Sequence, residues 1–291
     1  MATKISIDKN KWMNAFEFVT KARAQHDSRP MLTTVLLEFK GDHISLVCAD
    51  GYRIHAASLP LLKRPEYETT LTRDPILLPW DELKKFSPVK SGGNITLTIT
   101  DDHGVEVTQF FRGKIRTCTV SGMNARFPDY EAIKPRFVRR TPTKITFEDQ
   151  IVAQAVNAMT WGWFILTPDN KLLIARDNTL VLGTATTDGE HTTICNAVTW
   201  AYIQDAMTPA ATAYFHIDDQ KTQPILVTYD NPDYWALVMP CAVSDYRPMD
   251  TAKIMIDMAM SIFPRANMAA SYVDLKLHDA LDQDIRVKKA R

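Results

Sequence analysis

One arrangement recurs four times along the 291 residues: a strand, a helix, then three strands. The first occurrence opens with KISID (4–8). NKWMNAFEFVTKARA (10–24) follows, with Trp12, Met13, Phe16, Phe18 and Val19 spaced to give a helix one apolar face. Three strand patterns come next, TTVLLEF (33–39), HISLVC (43–48) and YRIHAASL (52–59), joined by the turn-forming KGD and ADG. The second occurrence is ILLP (76–79), the short helix WDELKKF (80–86), and the strands NITLTITD (94–101), VEVTQFF (105–111) and KIRTCTV (114–120). The third is KITFE (144–148), the helix EDQIVAQAVNAM (148–159), and the strands WFILT (163–167), KLLIARD (171–177) and LVLGTATT (180–187). The fourth is TTICN (192–196), the helix AVTWAYIQDAM (197–207), and the strands TAYFHID (212–218), PILVTYD (224–230) and YWALVMP (234–240).

Identity between the repeats is weak, but each must bury the same faces, so the pattern constrains the fold. Two repeats per half predict an α+β chain of two domains, each with two helices on antiparallel sheets. The Pro-punctuated connector KPRFVRRTPTK (134–144) separates domains at 1–140 and 141–244. Residues 245–291 are an addition. Lys253, Asp257 and Ser261 recur every four residues among apolar positions, which predicts a helix with a narrow polar stripe. Pro264 ends or kinks it, and five of the twelve methionines lie in this extension, an adaptable apolar surface. Packing on its own domain, subunit association and self-occlusion by DLKLH (274–278) are the three roles open to it. The closing RVKKAR is read as a basic disordered tail.

Formal net charge is zero, but it is unevenly placed. Residues 1–140 carry 22 Lys+Arg against 16 Asp+Glu, residues 141–244 carry 4 against 11, and residues 245–291 carry 8 against 7. A basic half joined to an acidic half points to a nucleic-acid face or to complementary subunit contacts.

Enzymatic and membrane classes find little support. The seven histidines are scattered, and no H-E-x-x-H, G-x-G-x-x-G, G-x-x-x-x-G-K or G-x-S-x-G occurs. Asp50-Gly51 and Asp101-Asp102 read as turns rather than catalytic carboxylate pairs. Cys48, Cys118, Cys195 and Cys241 are far apart and read as reduced core residues. No catalytic residue, metal ligand or cofactor is expected. There is no apolar run near the ~20 residues of a membrane helix. MATKISIDKNKW lacks a signal-peptide core, so a cytoplasmic protein is expected.

Four segments carry a family resemblance: RPMLTTVLLEF (29–39), LVCADGYRIHAASLPL (46–61), RFPDYEAIKP (126–135) and ALVMPCAV (236–243). In their order and spacing the chain resembles the bacterial DNA polymerase III sliding clamp, the β clamp, over residues 4–243. The resemblance implies the DNA-clamp fold, with two β-α-β-β-β repeats in each domain. It is to the middle and last of the family's three domains. Three domains per chain close as a dimer in that family; two per chain imply a trimeric ring of six, with a dimer as the second expectation. The resemblance implies a processivity factor that encircles double-stranded DNA without reading its sequence and tethers polymerase and clamp-loader peptides. The alternative is a clamp-fold interaction module that binds such partners without encircling DNA.

In the family, helices line the hole. On that reading Lys9, Lys11, Lys21 and Arg23 of the first helix, and Lys84 and Lys85 of the second, meet phosphates. Arg29, with Gln25, lies in a loop resembling one that touches DNA. The helices of the second half contain no Lys or Arg, which predicts weak, salt-sensitive retention. The resemblance also implies an apolar peptide groove. Its walls are Leu32, Ala49, Gly51, Tyr52, Arg53 and Ile54; Pro128, Ala132 and Ile133; and Leu237, Val238, Met239, Pro240, Cys241, Ala242 and Val243. Tyr52 stands where the family has His, and Cys241-Ala242 where it has Met-Arg, so the groove is retuned for a different peptide.

Overall fold

The computed structural model describes residues 2–26, 28–63, 68, 73–86, 88–89, 91–100 and 103–134, and then 143–146, 162–166, 171–176, 179–186, 194–198, 200–207, 213–216, 224–239 and 273–274. The chain forms two compact units: Met1–Ile133 with Asn231–Leu237, and Lys134–Asp230 with Val238–Arg291.

The first unit contains β1 (Thr3–Ile7), α1 (Lys9–Thr20), a 3₁₀ turn (Pro30–Thr33), β2 (Thr34–Lys40), β3 (His43–Ala49), β4 (Arg53–Pro60), β5 (Ile76–Pro79), α2 (Trp80–Leu83), β6 (Ile95–Ile99), β7 (Gly104–Phe111) and β8 (Lys114–Ser121). The second contains β9 (Thr143–Thr146), β10 (Gly162–Leu166), β11 (Lys171–Arg176), β12 (Thr179–Thr186), β13 (Ile194–Val198), α3 (Trp200–Met207), β14 (Ala213–His216) and β15 (Ile225–Thr228). Two strands follow, β16 (Tyr234–Val238) and β17 (Val273–Asp274). Residues 148–159, the extension helix and RVKKAR lie outside the described residues.

The first unit has two antiparallel sheets, β1-β6-β7-β8 and β5-β2-β3-β4, and the second gains β16 beside β4. In β6 and β7 every second side chain is buried, the pattern of a sheet with one wet face. β2 and β3 are buried almost continuously, because both of their faces are covered. Trp12, Ala15, Phe18 and Val19 form the buried face of α1, which packs on β3 and β4. α2 packs on β5 and β8.

Local chemistry sets the boundaries. The Asp8 carboxylate caps α1 by accepting from the backbone N–H groups of Asn10 and Lys11, at 2.8 and 2.9 Å. Helix is expected over 80–86, but only Trp80–Leu83 is helical. Lys85 and Phe86 donate to Glu82 and Leu83, three residues back, which tightens the last turn. Phe86 is buried and Pro88 follows, so the helix cannot continue. The fourth repeat departs from expectation in the other direction: strand continues through Asn196–Val198, where Phe164, Trp163 and Gly162 of β10 pair with it, and α3 begins only at Trp200.

Local features fix the β7–β8 turn and the loop before β6. Arg112 and Gly113 both have positive φ, 45° and 74°, the two-residue turn that matches strand twist. Gln109 is fully buried, and its side chain accepts from Val89 N and donates to Val89 O and Gly93 O, at 2.7, 3.1 and 3.0 Å. A Cβ on Gly92 would come within 2.4 Å of that amide, so glycine lets the loop close over it.

The described strands of the second unit run β13-β10-β11-β12-β9-β14-β15, all antiparallel. Phe215, Leu226 and Val227 are buried there, and the Tyr229 hydroxyl donates to the carbonyl of Ala206 in α3.

Candidate nucleic-acid face and peptide groove

Aromatic stacking joins the two helices of the first unit. Phe16 stacks on Trp12 at 5.8 Å and on Trp80 at 5.5 Å. The exposed residues of α1 are Asn10, Lys11, Met13, Asn14 and Glu17, with one acidic residue among them. Of the eight residues expected to meet DNA, Lys11, Gln25, Arg29, Lys84 and Lys85 are exposed, and Lys9, Lys21 and Arg23 are half-buried. Lys84 pairs with Asp81.

Arg23 has a structural task. Its guanidinium lies 5.1 Å from the centre of the Trp80 ring and donates to the Ala24 carbonyl at 2.6 Å, while its Nε is buried. A cation held against the indole face contributes to packing as well as to charge.

Strand pairing adds two cations that were missed in the sequence. In β8, Arg116 and Lys114 lie opposite Gln109 and Phe111, and Cys118 lies opposite the buried Val107. The Cys118 thiol donates to the Glu82 carbonyl of α2 at 3.5 Å. Lys114 and Arg116 therefore share the sheet face on which α2 sits, and both are exposed. The alternation in KIRTCTV carried this signal.

The turn after β3 carries Gly51, Tyr52 and Arg53, three of the residues expected in the groove. The Asp50 carboxylate accepts from Tyr52 N at 2.9 Å and from Arg53 N at 3.0 Å, and pairs with Arg53 Nε at 3.0 Å. Both side chains of the pair are nearly buried, at 13% and 11% exposure. Gly51 has φ +92°, and the Arg29 guanidinium lies where its Cβ would be, 2.3 Å from that point. Arg29 also donates to the Asp50 carbonyl at 3.1 Å, so the expected DNA loop is tied to the expected peptide wall. Leu32 and Ala49 are buried, Arg53 and Ile54 half-buried, and Tyr52 is 61% exposed.

A second segment rests on β2. Tyr130 is buried, stacks on Trp235 at 5.9 Å, and donates its hydroxyl to the Glu38 carboxylate. Burial, and then the Glu38 charge, push that hydroxyl well above its usual range, so it stays a donor. Asp129 caps the following turn by accepting from Ala132 N at 3.2 Å. Pro128 and Ala132 are exposed there and Ile133 half-buried. Of the third wall, Leu237 is buried in the first unit; Val238 is buried and Met239 37% exposed in the second. Pro240, Cys241, Ala242 and Val243 lie outside the described residues.

His55 is an internal feature the sequence did not reveal. It is fully buried, stacks on Phe18 at 4.5 Å, and its Nδ1 lies 2.9 Å from the Phe18 carbonyl. Nε2 is buried without a hydrogen-bond partner. Burial, with smaller contributions from the Arg53 and Lys21 charges, pushes the imidazole down to about 3. Among the described residues no group of three His, Cys, Asp or Glu is placed to hold a metal ion. No helix among them is long and apolar enough to cross a membrane.

No protein-family profile matches the chain, and no curated protein sequence matches it. Solved structures do. The chain is similar to the DNA polymerase III β subunit of Thermotoga maritima, with a TM-score of 0.63 and 18% identity over 83% of this chain and 66% of that one. It is similar to the DNA polymerase sliding clamp of Pseudomonas aeruginosa, with a TM-score of 0.65 and 19% identity over 83% and 66% of the two chains. The Bacillus subtilis sliding clamp gives a TM-score of 0.66 at 14% identity, over 82% and 64%. The chain thus has the sliding-clamp fold and spans about two thirds of the length of these clamps.

Proposed function

We propose that the chain is a DNA sliding clamp, a processivity factor that encircles duplex DNA and tethers a polymerase by a short peptide. The observation that carries this reading is the clamp fold, with two helices joined by aromatic stacking and exposed lysines on and beside them, Lys11, Lys84 and Lys85. A ring that must slide needs positive charge without base-reading groups, and no reaction centre. Lys114 and Arg116 add exposed positive charge on the sheet face against which α2 packs. Peptide capture is assigned to the Leu32, Tyr52, Arg53, Ile54 and Leu237 neighbourhood, where exposed Tyr52 stands on a turn held rigid by Asp50.

The internal repeat supports head-to-tail assembly. The last strand of the fourth repeat, β16, lies beside the last strand of the first, β4, where Ser58 N donates to Asp233 O at 2.7 Å. Among the described residues the second repeat's last strand, β8, is left as an eight-residue edge. By the same rule its neighbour is β12, the last strand of the third repeat, in another copy. The basic first half and acidic second half suit that contact, and three copies supply six domains.

The DNA reading is tested by charge reversal. Lys84→Glu with Lys85→Glu is expected to weaken binding to duplexes of any sequence equally. Each lost phosphate contact should lower the slope of log affinity against log salt by about 0.9. An unchanged slope would remove these lysines from the DNA face.

A further inference from the structure

β12 pairs with β11 on one side over Thr179–Thr184. Its other side is divided. β9 takes Thr184–Thr186, and the C-terminal extension supplies β17, in which Asp274 and Val273 pair with Thr179 and Leu180. Residues 181–183 have no strand partner on that side among the described residues. The equivalent strand of the first unit is divided in the same way. Beyond the end of β4, Leu61 bridges Ile7 of β1, while β4 itself lies beside β16. So β17 stands on β12 where a strand of the β16 type stands on β4.

We propose that the extension controls assembly: β17 occupies the edge of β12 that β8 of a second copy takes in the assembled ring. This rests on the head-to-tail reading above. One strand edge accepts one partner, so the two states exclude each other. The competition is unequal by construction. β17 pairs two residues, whereas β8, eight residues in unbroken register with β7 and without proline or bulge, can pair with all five that β9 leaves open, 179–183. β8 also carries Lys114 and Arg116, no acidic residue, and Ile115 at 60% exposure, facing a second half with excess acid. The extension therefore raises the concentration at which copies associate without forbidding association.

The test is a dilution series of the full chain by sedimentation or light scattering. Three variants are compared with it: Val273→Pro, which removes a β17 donor; truncation of residues 245–291; and Ile115→Glu, which changes an exposed side chain of β8. Freeing the edge exchanges one or two hydrogen bonds, so Val273→Pro and the truncation are expected to strengthen association about ten- to hundred-fold. Ile115→Glu should weaken it, alone and combined with Val273→Pro. Val273→Pro requires nothing of the truncated chain's folding. If Ile115→Glu weakens association but Val273→Pro leaves it unchanged or weaker, the assembly reading stands and the control by β17 is overturned. If Val273→Pro strengthens association and Ile115→Glu has no effect, the competitor is not β8, which also overturns it. If no variant changes association, or the full chain never associates, both readings fall together.

Discussion

Asp50→Ala is expected to destabilise the first unit by about 3 kcal/mol, the scale for breaking a mostly desolvated ion pair by removing one partner. Three hydrogen bonds end on that carboxylate, two from the backbone of the turn and one from Arg53. Without it, the Arg53 charge keeps its poorly hydrated position and loses its carboxylate. The backbone also loses the Asx acceptors that hold Tyr52 and Arg53 in the turn. On the proposed peptide-binding reading the consequence extends to function, because Tyr52, Gly51 and Arg29 are all positioned by this loop. Peptide affinity should therefore fall together with stability. Asp50→Asn separates the contributions: its amide oxygen can still accept from the turn, but the charge is gone, so an intermediate loss is expected. Urea denaturation of the three proteins measures this. A cost for Asp50→Ala within the roughly 0.5 kcal/mol of an ordinary surface substitution would show that the turn is held by other means.

Acid should weaken the same unit through His55. The folded imidazole titrates near 3 and the unfolded one near 6.5. Below 6.5 the unfolded chain binds a proton that the folded chain refuses, so unfolding is favoured. The stability that His55 contributes is thus complete above pH 6.5 and falls as pH drops from 6.5 towards 3. Each pH unit in that window costs about 1.4 kcal/mol, or roughly 2 kcal/mol between pH 6.5 and 5. His55→Phe keeps an aromatic ring against Phe18 and removes both the orphaned Nε2 and the titration. Thermal melts at pH 7.5 and 5.0 should show a smaller acid shift in this variant than in the parent. Equal shifts would assign the acid sensitivity to other groups.

The first two repeats were legible because periodicity reports which faces are buried. Trp12, Phe18 and Val19 lie on the buried face of α1 as their spacing requires, but Phe16 is half-buried and Met13 is exposed; the chain has the fold that the resembling segments imply. Pairing between distant residues was not legible. The strand YRIHAASL does not say that His55 is enclosed, because β4 is buried at His55, Ala56 and Ala57 alike. Arg23 reads as a free cation until Trp80, 57 positions later, is seen beneath it. β17 was hidden for the same reason: two residues of an extension pair with a strand more than ninety positions earlier, and no local pattern encodes that.

The central claim is topological, so the most direct measurement compares retention on nicked circular DNA with retention on the same DNA after linearisation, with the appropriate loader present. An encircling ring is expected to stay on the circle at salt concentrations that abolish simple phosphate binding, and to run off once the DNA has ends. Equal retention on circle and line, lost in parallel as salt rises, would contradict encirclement and leave a clamp-fold module that binds DNA or polymerase from one side.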